Sequence, residues 1–149
     1  MSTAHADALQ LVFLCRAEVQ LAEPLRLAGS PIGTRVIAEA RSFRLDRERI
    51  RASLKGTAAA DWLVVSPDGT FGCVDVRAAV VTDDGASIYL QYNGRIRFPA
   101  GGGLATVYVA PRFETGDARY AWLNQTLAVG KGLLDRASGR LAYTFYELE

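Results

Sequence analysis

The chain has 149 residues, half of them hydrophobic, so one domain with a sizeable buried core is expected without metal or disulfide support. Its 17 Lys and Arg residues stand against 16 Asp and Glu, which leaves no net field to draw in nucleic acid or an acidic polymer. No apolar run approaches the ~20 residues needed to span a bilayer, and the start lacks the basic-then-apolar layout of a signal peptide, so neither a membrane nor a nucleic acid is expected as partner and the reading is cytoplasmic.

Residues 1–8, with the lone histidine His5, read as a flexible start. Leu9–Val19 reads as a long first strand, and Pro24, Gly29, Ser30, Pro31 and Gly33 mark the longest irregular stretch, Leu21–Thr34. Val36–Leu45 and Ile50–Lys55 follow, joined by the charged turn Asp46-Arg47-Glu48-Arg49, and Trp62–Ser66 is a further strand. Pro67-Asp68-Gly69-Thr70 supplies a preset φ and a residue tolerant of positive φ, a tight turn into Phe71–Val81. Asp-Gly at Asp84-Gly85 turns that strand into Ala86–Tyr92, which Asn93-Gly94 closes. Ala105–Phe113 lies beyond the glycine-rich Pro99–Gly103, and Thr115-Gly116-Asp117 turns toward a strand over Tyr120–Val129. A hairpin through Gly130–Arg140 reaches the last strand, Leu141–Leu148.

Short strands with regular turn signals and almost no helical periodicity point to an all-β chain. In Phe71–Val81, Val74, Val76, Ala78 and Val80 alternate with Cys73, Asp75, Arg77 and Ala79, so one face meets the core. Closing about eight strands into a barrel removes exposed edges and leaves room for one small ligand. The expectation is a single antiparallel β-barrel domain, 1–149, of about eight or nine strands with little helix.

The motifs Ala60-Asp61-Trp62, Pro67-Asp68-Gly69-Thr70, Thr82-Asp83-Asp84-Gly85-Ala86-Ser87-Ile88-Tyr89 and Tyr92-Asn93-Gly94 carry a resemblance. With Pro111-Arg112-Phe113-Glu114-Thr115, Tyr120-Ala121-Trp122-Leu123-Asn124, Gly130 and Gly132, they make the chain, from about Ser30 onward, similar to a family of small bacterial proteins known as domain of unknown function 3237. The resemblance implies a lipocalin-like antiparallel barrel and confers no activity. Glu39-Ala40-Arg41-Ser42 stands where relatives usually carry a glycine pair.

Cys15 and Cys73 are isolated in apolar runs and read as inert core thiols; with His5 in the tail, no metal set is expected. Gly101-Gly102-Gly103 lacks the Lys-Ser/Thr of a phosphate cradle, and no cofactor motif occurs, so no cofactor is expected. Proton chemistry then falls to carboxylates, tyrosines or a shifted lysine. Asp61, beside Trp62 and amid Ala58, Ala59, Ala60, Leu63, Val64 and Val65, would be desolvated and titrate closer to neutrality; the competing reading is an Asp that only accepts backbone N–H bonds in a turn. Asp75 and Arg77, on one strand face, could orient a ligand or pair on a solvated surface. Tyr108, Arg112 and Glu114 share one strand parity, and Trp122 and Asn124 another; turned inward they make an aromatic pocket with placed polar groups, turned outward a surface pair over a packed core. Tyr89 and Tyr92 face opposite sides.

The reading is a cofactor-free enzyme of lyase, isomerase or cyclase type for a hydrophobic, oxygenated, aromatic or polyketide-like molecule. Asp61 and Glu114 are its candidate catalytic residues, and Trp62, Asp75, Arg77, Tyr89, Tyr108, Arg112, Trp122 and Asn124 its candidate binding residues. The alternatives are a lipocalin-type binding protein and a barrel filled with side chains. A homodimer is expected if Val74, Val76, Val80, Leu123, Leu127 and Val129 form an outer apolar face.

Overall fold

The computed structural model describes residues 7–149; His5 and most of the expected flexible start lie outside the described residues. Nine strands follow in chain order: β1 (Leu11–Leu21), β2 (Leu25–Ser30), β3 (Gly33–Arg47), β4 (Ile50–Val65), β5 (Phe71–Thr82), β6 (Ser87–Arg97), β7 (Leu104–Glu114), β8 (Ala128–Asp135) and β9 (Arg140–Leu148). They form one antiparallel sheet in the order β1-β9-β8-β7-β6-β5-β4-β3-β2. A further pairing of β1 with β3, running from Arg16↔Asp46 to Leu21↔Ala40, closes eight strands into a barrel. β2 is the extra strand, paired with β3 only at Leu25↔Ile37, Arg26↔Val36, Leu27↔Arg35 and Ser30↔Gly33.

The strand count agrees with the sequence reading, but the parts differ. Ile50–Lys55 and Trp62–Ser66 fall on a single strand, β4, which runs to Val65 and passes through an irregularity at Lys55–Ala58, with Gly56 at a φ of 58°, where the ladders to β3 and β5 are interrupted. β2 occupies the stretch read as irregular. Tyr120–Val129 is no strand: Ala118–Gln125 is a 3-10 helix with Asp117 as N-cap, accepting from the Arg119 N–H. Only Leu123 of this helix is buried, and it packs into the barrel end.

One end of the barrel is plugged and the other open. Leu14, Leu45, Ile50, Ala52, Val80, Ile88, Leu90, Phe113 and Leu123 fill the plugged end. The helix lies across it: Trp122 stacks under Arg49 of the β3–β4 turn, with the guanidinium 4.2 Å from the ring centroid, and the Tyr120 hydroxyl donates to Asp84 of the β5–β6 turn at 2.9 Å. Midway, Tyr92, Tyr143 and Phe145 form a ring cluster with centroids 5.4–6.2 Å apart. Glycines on β8 make room for it. A Cβ at Gly132 would meet the Tyr143 ring at 2.5 Å, and one at Gly130 would meet the Phe145 ring at 2.5 Å.

Val74, Val76 and Val80 point into this core, as does Leu123, so they supply no outer apolar face; the homodimer expectation loses those residues as its basis.

Candidate functional site

Above the tyrosine pair the barrel stays hollow. A cavity of about 200 Å³ opens at the end formed by the β1–β2 link, the β8–β9 turn and the start of β5. Val36, Leu63, Val65, Val74, Ile96, Phe98, Val107, Leu134 and Leu141 form its apolar walls. Its polar groups are Asp61 and Tyr143 within, and Glu23, Arg26, Arg136 and Ser138 toward the rim.

β4 places Asp61. Asp61, Leu63 and Val65 share the inward parity and all line the cavity, while Trp62 between them faces out. The β4–β5 pairing passes from Asp61↔Val76 to Val64↔Cys73, and in the gap the Asp75 N–H donates to Asp61 Oδ1 at 3.0 Å. The side chain thus takes the role a ladder carbonyl would have, which fixes the carboxylate against the wall and leaves its second oxygen without a hydrogen-bond partner among the described residues. Burial among aliphatic groups pushes Asp61 up to about 6; the Asp75 N–H opposes that rise and the Asp75 charge adds to it. Asp61 is not the turn carboxylate of the competing reading: it lies within β4 and accepts an N–H from the neighbouring strand β5 at the cavity wall.

Tyr143 of β9 lines the same cavity, and Tyr92 of β6 lies behind it. Tyr92 sits level with Asp61, because Asp61 pairs with Val76 and Val76 with Tyr92. Burial raises both phenols, and the Asp61 charge raises both further. The two rings meet edge to face with centroids 5.6 Å apart, so the phenols are buried together beside the cavity floor. Tyr143 lines the cavity, and a phenol hydroxyl can donate to a molecule that enters it.

The other candidates lie outside the cavity. Trp62 is 38% exposed on the outer face, with the Arg77 guanidinium 5.9 Å from its ring centroid, and Asp75 shares that face. Tyr108 is also outward, between Arg97 and Lys131 at 5.6 and 5.8 Å. Arg112 and Glu114 keep the shared parity of β7, but the buried set of that strand is Ala105, Val107, Val109, Pro111 and Phe113, so both face solvent. Glu114 and Tyr89 are cross-strand partners on the outer wall, where the Tyr89 hydroxyl donates to Gln91 at 2.8 Å. Asn124, on the helix, clamps Thr115: its Oδ1 accepts from the Thr115 N–H at 2.8 Å and its Nδ2 donates to the Thr115 carbonyl at 2.9 Å. Trp122 covers the plugged end. Of the ten candidates only Asp61 lines the cavity; Tyr143, Arg26 and Arg136 were missed. The signal for Tyr143 was its inward parity with Phe145 in Leu141–Leu148.

Among the described residues no cluster of His, Cys, Asp and Glu could hold a metal ion, and no helix is long and apolar enough to cross a membrane.

Comparison with known proteins agrees with this architecture. A protein of Rhodopseudomonas palustris (strain TIE-1) described as a UPF0311 protein is 33% identical over 84 residues, 48% of this chain and 54% of that protein, so the chain spans about half the length of that curated relative. The crystal structure of a beta-barrel like protein from Acinetobacter baumannii AYE superposes with a TM-score of 0.83 at 29% identity, covering 95% of this chain and 97% of that one. A protein from Penicillium herquei described as an enzyme shares the fold at a TM-score of 0.69 and 19% identity, with 95% of each chain covered. The family model described as "Protein of unknown function (DUF3237)" matches residues 9–148, and with a closed antiparallel barrel extending over the same residues, the chain belongs to that family.

Proposed function

We propose that the barrel is a cofactor-independent enzyme that moves a proton on an apolar, oxygenated small molecule, with Asp61 as the acid–base group and Tyr143 as the hydrogen-bond donor to the substrate's oxygen. The observation that carries this is a carboxylate poised at about 6 on the wall of an otherwise apolar cavity. In the simplest step the free Asp61 oxygen takes a proton from the carbon next to a carbonyl. The C–H pair becomes the new C=C bond, and the carbonyl oxygen takes the negative charge. The Tyr143 O–H stabilises that oxygen, and the neutral Asp61 returns its proton to another carbon or to a leaving oxygen. Isomerisation, elimination and ring closure all share this half-reaction and need no oxidant. The enzyme description of the Penicillium protein is compatible with it through the fold alone.

A second reading, a binding protein of lipocalin type, is favoured by the predominantly apolar walls. Deuterium exchange at the carbon next to the carbonyl of 1-indanone, followed by NMR in heavy water, separates the two. Catalysis should rise as Asp61 ionises, with an apparent pKa near 6, and fall by about 10²-fold or more in Asp61→Asn. Binding of the ketone with no protein-dependent exchange would leave the binding reading.

A further inference from the structure

Among the described residues, neither Arg26 nor Arg136 has an ion-pair or hydrogen-bond partner for its guanidinium, although both line the cavity rim. Arg26 gets there by register. It pairs with Val36 on the inward face, while its neighbours Leu25 and Leu27 pair with Ile37 and Arg35 on the outward face. Arg136 lies in the β8–β9 turn with its guanidinium 5.1 Å from the centroid of Phe98, a wall residue, so an aromatic face steadies the cation at the mouth. The β8–β9 turn that carries Arg136 is tied to the end of β1, just before the link that leads to Arg26 on β2: Gln20 Nε2 donates to the carbonyl of Ser138 at 2.7 Å, and the Leu21 N–H to that of Gly139 at 2.9 Å. Among the described residues Glu23 is the one carboxylate on the rim, against two guanidinium groups. Charge is thus ordered along the cavity: cations at the mouth, apolar walls, then a carboxylate and a phenol within.

We infer that the cavity takes an apolar molecule bearing an anionic group, a carboxylate or its equivalent, held at the mouth by Arg26 and Arg136, with its neutral oxygenated end directed toward Asp61 and Tyr143. This rests on the reading of the cavity as the substrate site. The reverse orientation would set two negative charges together whenever Asp61 is ionised. Planar guanidinium groups suit the two-oxygen edge of a carboxylate, and an anchor at the mouth would hold the reacting carbon at a fixed depth.

The test compares binding of 3-phenylpropionate and its neutral amide, 3-phenylpropionamide, by NMR titration at low ionic strength and mildly alkaline pH. The wild type should bind the carboxylate about three- to tenfold tighter than the amide, the range expected of two solvent-exposed charge contacts. In Arg26→Gln with Arg136→Gln that ratio should fall to about one while amide affinity holds, and Asp61→Asn should change carboxylate affinity by less than about threefold. Equal affinities in the wild type, or a preference that survives loss of both arginines, would overturn anion recognition while leaving Asp61 as the acid–base group. Carboxylate binding that tightens more than about tenfold in Asp61→Asn would place the anion at the floor and overturn the orientation. Binding of neither compound would overturn this inference, and if 1-indanone still exchanges, the proton-transfer reading stands without it.

Discussion

At the scale of single residues, Asp61 makes a prediction about stability that does not depend on any substrate. Its folded value of about 6 lies above its ordinary 3.8, so between those values the folded protein holds a proton that the unfolded chain has released. Asp61 therefore favours folding below about pH 4; that contribution is lost as pH rises through 6, by up to about 3 kcal/mol, and nothing further changes above it. Asparagine keeps the acceptor for the Asp75 N–H but cannot ionise. Thermal melts should show Asp61→Asn gaining stability over the wild type as pH is raised from about 4 to about 7. A difference that stays flat with pH would show that the carboxylate is solvated. Cys15 makes a second, simpler case: burial pushes its thiol up to about 12, so it should resist alkylation in the native state, with mass spectrometry as the readout.

At the scale of elements, legibility followed periodicity. β5 and the start of β6 were readable because Pro-Asp-Gly and Asp-Gly turns fix those ends, but Asn93-Gly94, read as closing β6, lies inside it, paired with Ala110 and Val109 as the strand runs on to Arg97. Valine alternation on β5 separated its two faces, and the valine face, offered as an outer one for a dimer, is the one that packs. β7 shows the limit of such reading. The shared parity of Tyr108, Arg112 and Glu114 is right, but parity alone does not say which face is inside, and the smaller apolar set Val107, Val109 and Phe113 is the one that packs. The helix at Ala118–Gln125 was read as a strand because its tyrosine, tryptophan and leucine suit either state, and tertiary contacts with Arg49 and Asp84 decided it. Asp61 was legible from its apolar neighbours; Tyr143 and the two rim arginines were not, since they depend on which strands the closure brings together. β8 carries the corresponding prediction. Gly132→Ala puts a methyl group 2.5 Å from the Tyr143 ring, so it should cost about 1–3 kcal/mol by overpacking and displace the Tyr143 hydroxyl, measurable as a lowered melting temperature together with slower 1-indanone exchange. Tyr143→Phe, which keeps the ring, should slow exchange with little loss of stability.

At the scale of the molecule, the barrel divides its interior between stability and chemistry. The plugged half, with its helical cover, holds the closed sheet together, and the hollow half can then expose a carboxylate to an apolar space without the walls collapsing onto it. Fold integrity does not depend on the thiols: Cys15 is buried, while Cys73 faces outward on β5, so reducing agent should leave the melting temperature unchanged. What matters most is whether Asp61 titrates near neutrality within the cavity and meets what enters it. Carbon-13 NMR of the aspartate side-chain carboxyls, with Asp61→Asn to assign the signal, measures this directly. A signal that titrates near 6 and moves to still higher pH when 1-indanone fills the cavity is the expected result, because the ligand displaces water from the carboxylate. An Asp61 signal that titrates near 4 and ignores the ketone would contradict it.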